Sequence, residues 1–273
     1  MNTAGQFANQ VVLVTGASRG IGRTTALAFA AQGAAVALVS TAADRAKRVA
    51  EEISAAGGRA LPLVGDVAVE ADVRRFIAQA ESTLGPLNVL VNNAGVTGPT
   101  APVTEMPLAD WDRTIAVNLT GPFLCAREAL RLALARAKSS GSPPALRSIV
   151  NISSIAGKIS YPYRTPYASS KWGLIGLTLT LAEEAGRAGI RVNCICPGPV
   201  QGKMLDSVMA ARAQAMGRPL EEVRKQFLGL TMLKRLVKNE DVAALVLFLA
   251  SDAAANITGQ AIDVTGGMAQ MRE

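Results

Sequence analysis

Short runs of consecutive apolar residues alternate along the chain with longer stretches in which apolar residues recur every three or four positions. The short runs have the length of strands and are apolar on both faces, as is typical of parallel strands covered by helices on both sides. The longer stretches have the period of amphipathic helices. We therefore predict an α/β fold in which seven parallel strands form a doubly wound sheet with helices on both faces. The strands are predicted at 11–14, 36–39, 60–64, 87–91, 148–152, 192–196 and 261–264.

The chain of 273 residues has the length of one large α/β domain, and no change in composition marks a second one. We expect a single domain over residues 1–273. Residues 201–238 have a helical, charged pattern without one clear apolar stripe. Such a pattern is expected of a mobile lid rather than of a core element, and we assign a substrate lid to about 199–230.

A long helix is predicted from about residue 110 to residue 138, and Pro122 lies inside it. Proline has no N–H to donate to the carbonyl four residues back, which here belongs to Asn118. A kink at this point would leave the carbonyl of Asn118 available to water or to Lys171.

Composition excludes several classes of function. The chain has no histidine, which removes Ser-His-Asp hydrolysis and His-ligated metal sites, and we expect no metal. The net charge is +7, but the basic residues are scattered. We therefore predict no nucleic-acid partner, although the charge could attract a phosphorylated cofactor or an acidic substrate.

The chain gives no sign of a membrane or secretory destination. No run of 18 apolar residues is present, so we expect no membrane span. The first ten residues lack the basic and apolar regions of a signal peptide. Cys125, Cys194 and Cys196 have no metal or redox-motif spacing, so we predict a reducing compartment, the cytoplasm.

A glycine-rich turn follows the first strand. Residues 15–22 read Thr-Gly-Ala-Ser-Arg-Gly-Ile-Gly and lead into a helical pattern that ends at Gly33. A strand, a glycine turn and a helix can hold a phosphate group, because the backbone can come close and the helix start offers free N–H groups. The spacing differs from the commoner G-x-G-x-x-G, and a turn that binds nothing is the alternative.

The end of the second strand bears on the choice of cofactor. NAD-binding proteins place an acidic residue there, about 20 residues past the glycines, to hold the ribose 2′-hydroxyl. This chain has Ser40 and Thr41 instead, and Arg19 in the glycine turn could pair with a 2′-phosphate. We therefore predict NADP(H) over NAD(H), the alternative being an Arg19 that only faces solvent.

Polar residues follow two further strands. Asp66, after the third strand, could accept hydrogen bonds from an adenine amino group or could cap the next helix. Residues 92–95, Asn-Asn-Ala-Gly, follow the fourth strand, where the amides could bond neighbouring strands and the small residues leave room for a flat cofactor. Ordinary turn chemistry is the alternative.

Tyr167 and Lys171 are four residues apart, which places both side chains on one face of a helix. A tyrosine that works as an acid or base near neutral pH needs its pKa lowered by roughly three units, and a cation ~4 Å away supplies about that much. We therefore expect Lys171 to lower the pKa of Tyr167. Ser154, at the end of the fifth strand, could hold a substrate oxygen.

These motifs, in this order and with 13 positions between Ser154 and Tyr167, resemble the short-chain dehydrogenase/reductase family over residues 11–267. The resemblance implies a Rossmann-type fold, a nicotinamide cofactor and a homotetramer. It implies that Tyr167 is the acid or base, that Ser154 orients the reacting oxygen, and that Asn118 holds a water joining Lys171 to solvent. The cofactor contacts it implies are Gly16, Ser18, Arg19, Gly20, Ile21, Gly22, Ser40, Thr41, Asp66, Val67, Asn93, Ala94, Gly95, Tyr167, Lys171, Pro197, Gly198 and Val200.

The function predicted from this resemblance is an NAD(P)-dependent oxidoreductase that interconverts a secondary alcohol and a ketone, with a small carbonyl or alcohol molecule as its substrate. A 3-oxoacyl-ACP or -CoA reductase is the alternative within the family, and Arg127, Arg131 and Arg136 could then meet an acidic carrier protein or simply face solvent. A cofactor-binding regulator without catalysis is a third possibility. Arg164, three residues before Tyr167, could meet a carboxylate or phosphate of the substrate or be exposed at a helix start.

Overall fold

All seven predicted strands are present and parallel in one sheet of the computed structural model, which describes residues 5–268. Their order across the sheet is β3-β2-β1-β4-β5-β6-β7. The predicted α/β fold is confirmed. The strands are β1 (Val11–Thr15), β2 (Ala35–Ser40), β3 (Arg59–Val64), β4 (Val89–Asn92), β5 (Ser148–Ile152), β6 (Arg191–Pro197) and β7 (Ala261–Val264).

Helices connect the strands. They are α1 (Gly20–Ala31), α2 (Ala43–Ala55), α3 (Glu70–Leu84), α4 (Leu108–Ile115), α5 (Gly121–Ser140), α6 (Thr165–Gly186), α7 (Lys203–Met216), α8 (Leu220–Gly229) and α9 (Asn239–Ala250). Between residues 5 and 268, none of the helices combines the length and the apolar character that crossing a membrane requires.

The central strands are buried on both faces. In β1, Val11 and Leu13 pack into one core while Val12 and Val14 pack into the other, because successive side chains of a strand point to opposite faces. The first core contains side chains of α3, α5 and α6, and the second contains side chains of α1, α2 and α9. Helices therefore cover both faces of the sheet, as the continuous apolar runs predict.

The strand order reverses between β1 and β4. From β1 the chain moves outward to β2 and β3, then returns to β4 on the other side of β1 and continues to β7. The connections leave a crevice at the carboxyl ends of the two neighbouring strands, which is where open α/β sheets bind ligands.

The predicted helix over 110–138 is interrupted around Asn118. It consists of α4, a π-helical turn over Ala116–Thr120, and α5, in which Pro122 is in the first turn. The N–H of Gly121 donates to the carbonyl of Ala116, five residues back. Pro122 thus begins a new helix, and the change of helix type occurs at the predicted position because proline cannot continue the bonding of the preceding turn.

The predicted lid is partly different from the expectation. The segment contains α7 and α8, but residues 230–238 at the end of the stretch predicted to be helical (201–238) are not helical, and Val200 bridges Val237 in a short parallel pairing. A small separate hydrophobic core joins α7 and α8. This core was not predicted, because residues 201–238 show no clear apolar stripe. The core consists of Leu205, Met209, Ala213, Val223 and Phe227.

Candidate active site

A cavity of about 610 Å³ opens at the carboxyl ends of the central strands. Its wall joins the glycine turn after β1 to Ser154, Tyr167 and Lys171. Every predicted cofactor contact except Gly22 lies on this wall, and Asn118 does not.

The glycine turn has the geometry of a phosphate cradle. Gly16 has a φ of +66°, and a Cβ on it would lie 2.8 Å from the Cα of Ala94, so only glycine fits there. Helix α1 begins after Arg19 without a side-chain cap and has no acidic residue in its first turn. The N–H groups of that turn therefore suit an anionic group such as a cofactor phosphate.

Gly22 has a packing role. A Cβ on Gly22 would lie 2.4 Å from both the Nδ2 atom of Asn93 and the carbonyl oxygen of Gly16. The missing side chain lets α1 approach the turn, so Gly22 shapes the cavity from behind its wall.

Asparagine side chains tie neighbouring strands together, as predicted for the amides of residues 92–95. The Nδ2 atom of Asn93 donates to the carbonyls of Thr15 at 2.9 Å and Gly16 at 3.2 Å. Asn92 is the last residue of β4 rather than part of the turn, and it donates to Oδ1 of Asn151 at 2.9 Å in the neighbouring strand β5. These bonds fix the floor of the cavity.

Two exposed arginines lie at the end of the cavity near β2. Ser40 is buried, and its Oγ atom accepts a hydrogen bond from the N–H of Ala42 at 3.0 Å. Arg19 and Arg45 line the cavity, and of its lining residues within 5–268 Asp66 is the one carboxylate. The residues at this end therefore fit a group with more negative charge than a ribose hydroxyl.

Asp66 is already bonded on both carboxylate oxygens. Its Oδ1 atom accepts from the N–H of Ala68 at 3.0 Å, and its Oδ2 atom pairs with Arg113 at 2.8 Å. Helix α3 begins four residues later, with Val69 as its N-cap. The alternative that Asp66 caps this helix is wrong, and its contact with adenine stays a prediction.

Tyr167 and Lys171 face the same cavity from α6. The Nζ atom of Lys171 lies 5.7 Å from the centre of the Tyr167 ring and donates to the carbonyl of Ile152 at 2.9 Å. Burial lowers the pKa of Lys171 to about 8, because desolvation disfavours the ammonium form. The two groups therefore share one face of the helix, as the spacing predicts.

The pKa of Tyr167 differs from the expectation. Burial raises it above the ordinary tyrosine value, and the hydroxyl of Ser154 lowers it by less. The expectation that the pKa of Tyr167 is lowered is wrong for the protein without its cofactor, because desolvation of the phenol is the largest effect.

Asn118 is fully buried in the π-helical turn, and its side chain spans two parts of the fold. Its Oδ1 atom accepts from the N–H of Val96 at 2.8 Å, and its Nδ2 atom donates to the carbonyl of Val96 and to Ser170. A Cβ on Gly95 would lie 3.3 Å from this Oδ1 atom and 3.8 Å from the Nζ atom of Lys171. Asn118 therefore positions the loop that runs past Lys171.

Arg164 is buried rather than exposed. It is 4% exposed, lines the cavity, and donates to the carbonyl of Thr97 at 2.6 Å and to Oγ1 of Thr100 at 3.1 Å. Its guanidinium carbon lies 5.5 Å from the centre of the Tyr167 ring. The alternative of a solvent-facing arginine at the helix start is wrong.

The cavity also has walls that sequence reasoning missed. Arg45 follows β2 closely and could have been found as a cation near the predicted ribose site. The sequence gave no indication of three other lining residues, Arg113, Tyr161 and Asn239. The helices and loops that carry them reach the cavity only when the chain has folded. The segment over 199–230 contributes Leu205, among other residues, to the cavity wall, and its role as a lid stays a prediction.

The fold and this constellation define the short-chain dehydrogenase/reductase family, and the chain belongs to it. A family profile described as Enoyl-(Acyl carrier protein) reductase matches residues 16–269. The chain is accordingly an NAD(P)-dependent oxidoreductase of this family.

Relatives extend over nearly the whole chain. An uncharacterized oxidoreductase of Thermotoga maritima is 40% identical over 96% of this chain and 98% of its own length. A 3-oxoacyl-[acyl-carrier-protein] reductase of Synechocystis sp. is 41% identical over 95% of this chain and 96% of its own. The crystal structure of NAD+-bound xylitol dehydrogenase superposes with a TM-score of 0.90 at 29% identity, covering 96% of this chain and all of that one (100%).

Proposed function

We propose that this protein interconverts a secondary alcohol and a ketone, with Tyr167 as the acid or base and NADP(H) as the preferred cofactor. The observation that carries the proposal is that Ser154, Tyr167 and Lys171 line the same cavity as the glycine turn. A bound nicotinamide cofactor supplies the hydride transfer, and the chain supplies binding, orientation and the proton.

In the direction of reduction, Tyr167 gives its phenolic proton to the carbonyl oxygen of the substrate. Ser154 shares this wall and donates its hydroxyl hydrogen to the same oxygen, which fixes the orientation of the substrate. The raised pKa of the phenol in the chain alone suits a proton donor that stays protonated at neutral pH. In the direction of oxidation, Tyr167 takes the proton from the alcohol.

Lys171 and Asn118 support the proton transfer. A charged Lys171 stabilises the phenolate that remains when Tyr167 has given up its proton. Asn118 holds the loop at Val96 and contacts Ser170, next to Lys171 in the chain. We infer that the π-helical turn at Asn118 provides the water position through which Lys171 exchanges protons with solvent.

The preference for NADP(H) is supported by the charges at the end of β2. Arg19 and Arg45 line that part of the cavity, and Ser40 and Thr41 are present where an NAD-binding chain has a carboxylate. Guanidinium groups form strong charge-assisted bonds with phosphate. NAD(H) stays the alternative.

The test is reduction of a broad ketone panel, including 3-oxoacyl-CoA thioesters, with NADPH and with NADH. We expect turnover by the wild type and a loss of roughly 10²- to 10⁴-fold in kcat for Tyr167→Phe, because the proton donor is removed. NADPH binding, measured by fluorescence titration, should change far less than kcat in Tyr167→Phe, because the aromatic ring is kept. Binding of NADPH without reduction of any ketone, with Tyr167→Phe behaving as the wild type, would show that the site is not catalytic.

A 3-oxoacyl thioester reductase is the second candidate, favoured by the name of the Synechocystis relative. The carrier-protein contact is less well supported. Arg127 pairs with Glu70, and the other two arginines of α5 pair with carboxylates of the chain itself. Turnover of 3-oxoacyl-CoA substrates well above that of simple ketones would favour this candidate.

We also propose that the protein forms a homotetramer and that residues 199–230 act as a substrate lid. Helices α5 and α6 expose large apolar side chains that a partner subunit would cover, among them Phe123, Trp172 and Leu179. The segment over 199–230 packs through its own small core, which suits a unit that moves as one piece over the substrate.

A further inference from the structure

Arg164 is a buried cation without a counter-charge. Its side chain is 4% exposed, and no carboxylate among residues 5–268 lies within ion-pair distance of it. Two of its N–H groups bond Thr97 and Thr100, and its Nε atom is buried with no partner. A guanidinium cannot shed its charge near neutral pH, so a buried one normally has an anion beside it.

A second arginine lies close by. Arg212, on α7 of the lid, also forms no ion pair within the described part of the chain, and its Nε atom is likewise buried without a partner. Its guanidinium carbon lies 5.8 Å from the centre of the Tyr161 ring, and that of Arg164 lies 6.0 Å from the same point. Burial and the like charge of Arg212 both lower the pKa of Arg164. Two cations therefore meet at one aromatic ring.

Arg164 is the member of this pair that lies next to the reacting group. Arg164 lines the cavity together with Tyr161 and Tyr167, and its guanidinium carbon is 5.5 Å from the centre of the Tyr167 ring. A substrate whose carbonyl oxygen meets Tyr167 can therefore place a group a few bonds from its carbonyl within reach of Arg164.

We propose that Arg164, reinforced by Arg212, binds a carboxylate of the substrate, so that the preferred substrates are short oxo acids and the corresponding hydroxy acids. This inference rests on the proposed function. A carboxylate is the planar anion that a guanidinium fork matches, and it supplies the counter-charge that the chain does not provide. Arg164 lines the cavity and makes the contact, while Arg212 does not line it and adds its charge from beside the Tyr161 ring.

The test compares each oxo acid with its neutral methyl ester. Acetoacetate, levulinate and 5-oxohexanoate place the carboxylate at increasing distances from the carbonyl, and each ester removes the charge while keeping the reacting group. We expect the wild type to favour the acid over its ester by at least roughly tenfold in kcat/KM for the best pair.

Variants at Arg164 distinguish binding of the substrate carboxylate from a structural role in holding the loop of Thr97 and Thr100. Arg164→Gln keeps amide hydrogens for Thr97 and Thr100 but removes the charge, and we expect its kcat/KM to fall by roughly 10- to 100-fold for the acid, mainly through KM. The ester should lose clearly less activity than the acid, and Arg164→Lys should recover part of the loss because it keeps the charge.

Variants in the lid provide the matched control. Arg212→Met should lower kcat/KM for the acid by less than Arg164→Gln does. Arg218→Met removes an exposed arginine from the same segment and should leave the ratio of acid to ester as in the wild type. Titration of the NADP⁺-loaded protein with glutarate gives a readout without turnover, and we expect binding by the wild type and weaker binding by both Arg164→Gln and Arg212→Met.

Several results would overturn the inference. One is equal use of acids and esters by the wild type, or reduction of neutral ketones without reduction of any of the three acids. Another is an equal loss for acid and ester in Arg164→Gln, which would make Arg164 a brace for the Thr97 loop. If Arg164→Gln does not fold, the test rests on the ratio of kcat/KM for acid and ester in the wild type and on the change of that ratio in Arg212→Met. Failure of the proposed function gives a different result from failure of this inference, because neither the acids nor the neutral ketones would then be turned over.

Discussion

The two ends of the cavity carry the same kind of charge in opposite surroundings. At the end near β2, Arg19 and Arg45 are exposed, and the ion pair of Arg113 with Asp66 reaches solvent. At the end near α6, Lys171 and Arg164 are each 4% exposed. Positive residues thus lie at both ends of the cavity, but those named near β2 are exposed to water and those named near α6 are not.

This difference separates recognition from chemistry. Exposed charges act through a high dielectric and add modest, salt-dependent attraction. Buried charges act through a low dielectric, and their own pKa values move, as the lowered pKa of Lys171 shows. Substitutions at the buried end should therefore have larger effects than equivalent substitutions at the exposed end.

The largest effect is expected for Lys171→Met. The ammonium lies 5.7 Å from the ring centre, and two opposite charges at about that separation attract by about 3 kcal/mol at an effective dielectric of ~20, which corresponds to roughly 100-fold in rate. We expect a loss of that order in kcat for ketone reduction. Unchanged kcat would mean that Lys171 does not act on the phenolate.

The same variant has a distinct signature in stability. Lys171 loses its proton near pH 8 when folded and near its ordinary value of 10.5 when unfolded. Between these values the unfolded chain binds more protons, so the free energy of unfolding of the wild type should rise with pH relative to Lys171→Met, by roughly 3 kcal/mol in all. Below pH 8 and above pH 10.5 the difference should be constant.

Urea unfolding from pH 7 to pH 11 measures this slope. Lys138→Met, which removes an exposed lysine at the end of α5, controls for the loss of one charge. A difference between wild type and Lys171→Met that does not change with pH would show that the ammonium is not desolvated in the folded protein.

An intermediate effect is expected at the exposed end. Arg19→Ser with Arg45→Ser should raise KM for NADPH by roughly 10- to 100-fold and change KM for NADH much less, because two partners of a 2′-phosphate are lost. Arg48→Ser removes an exposed arginine of α2 that does not line the cavity and serves as the matched control. Equal changes for both cofactors would remove the basis for the NADP(H) preference.

The smallest effect is expected for Arg113→Met. Its ion pair with Asp66 is partly exposed, with 51% of the Arg113 side chain and 25% of the Asp66 side chain accessible. We expect the free energy of unfolding to change by less than ~1 kcal/mol, as for an ordinary surface pair. Arg74→Met, which breaks the exposed pair with Glu70, is the comparison. A markedly larger loss for Arg113→Met would mean that this end of the cavity is also shielded from water.

The strands could be read from the sequence because each is a short apolar run bounded by glycine or polar residues. Tyr167 and Lys171 could be paired because a spacing of four is a local property of any helix. The glycine turn was predictable because its neighbours along the chain form the strand and helix that hold it. Asn118 was singled out through Pro122, since the loss of one N–H is also a local effect.

What the sequence by itself determined is thus local: strand and helix order, the glycine turn, and the helical face shared by Tyr167 and Lys171. The tertiary structure decided how far each group is from water, because burial depends on chain segments far apart in sequence. That is why the pKa of Tyr167 is raised rather than lowered, why Arg164 is buried, and why Arg212 of α7 lies near it.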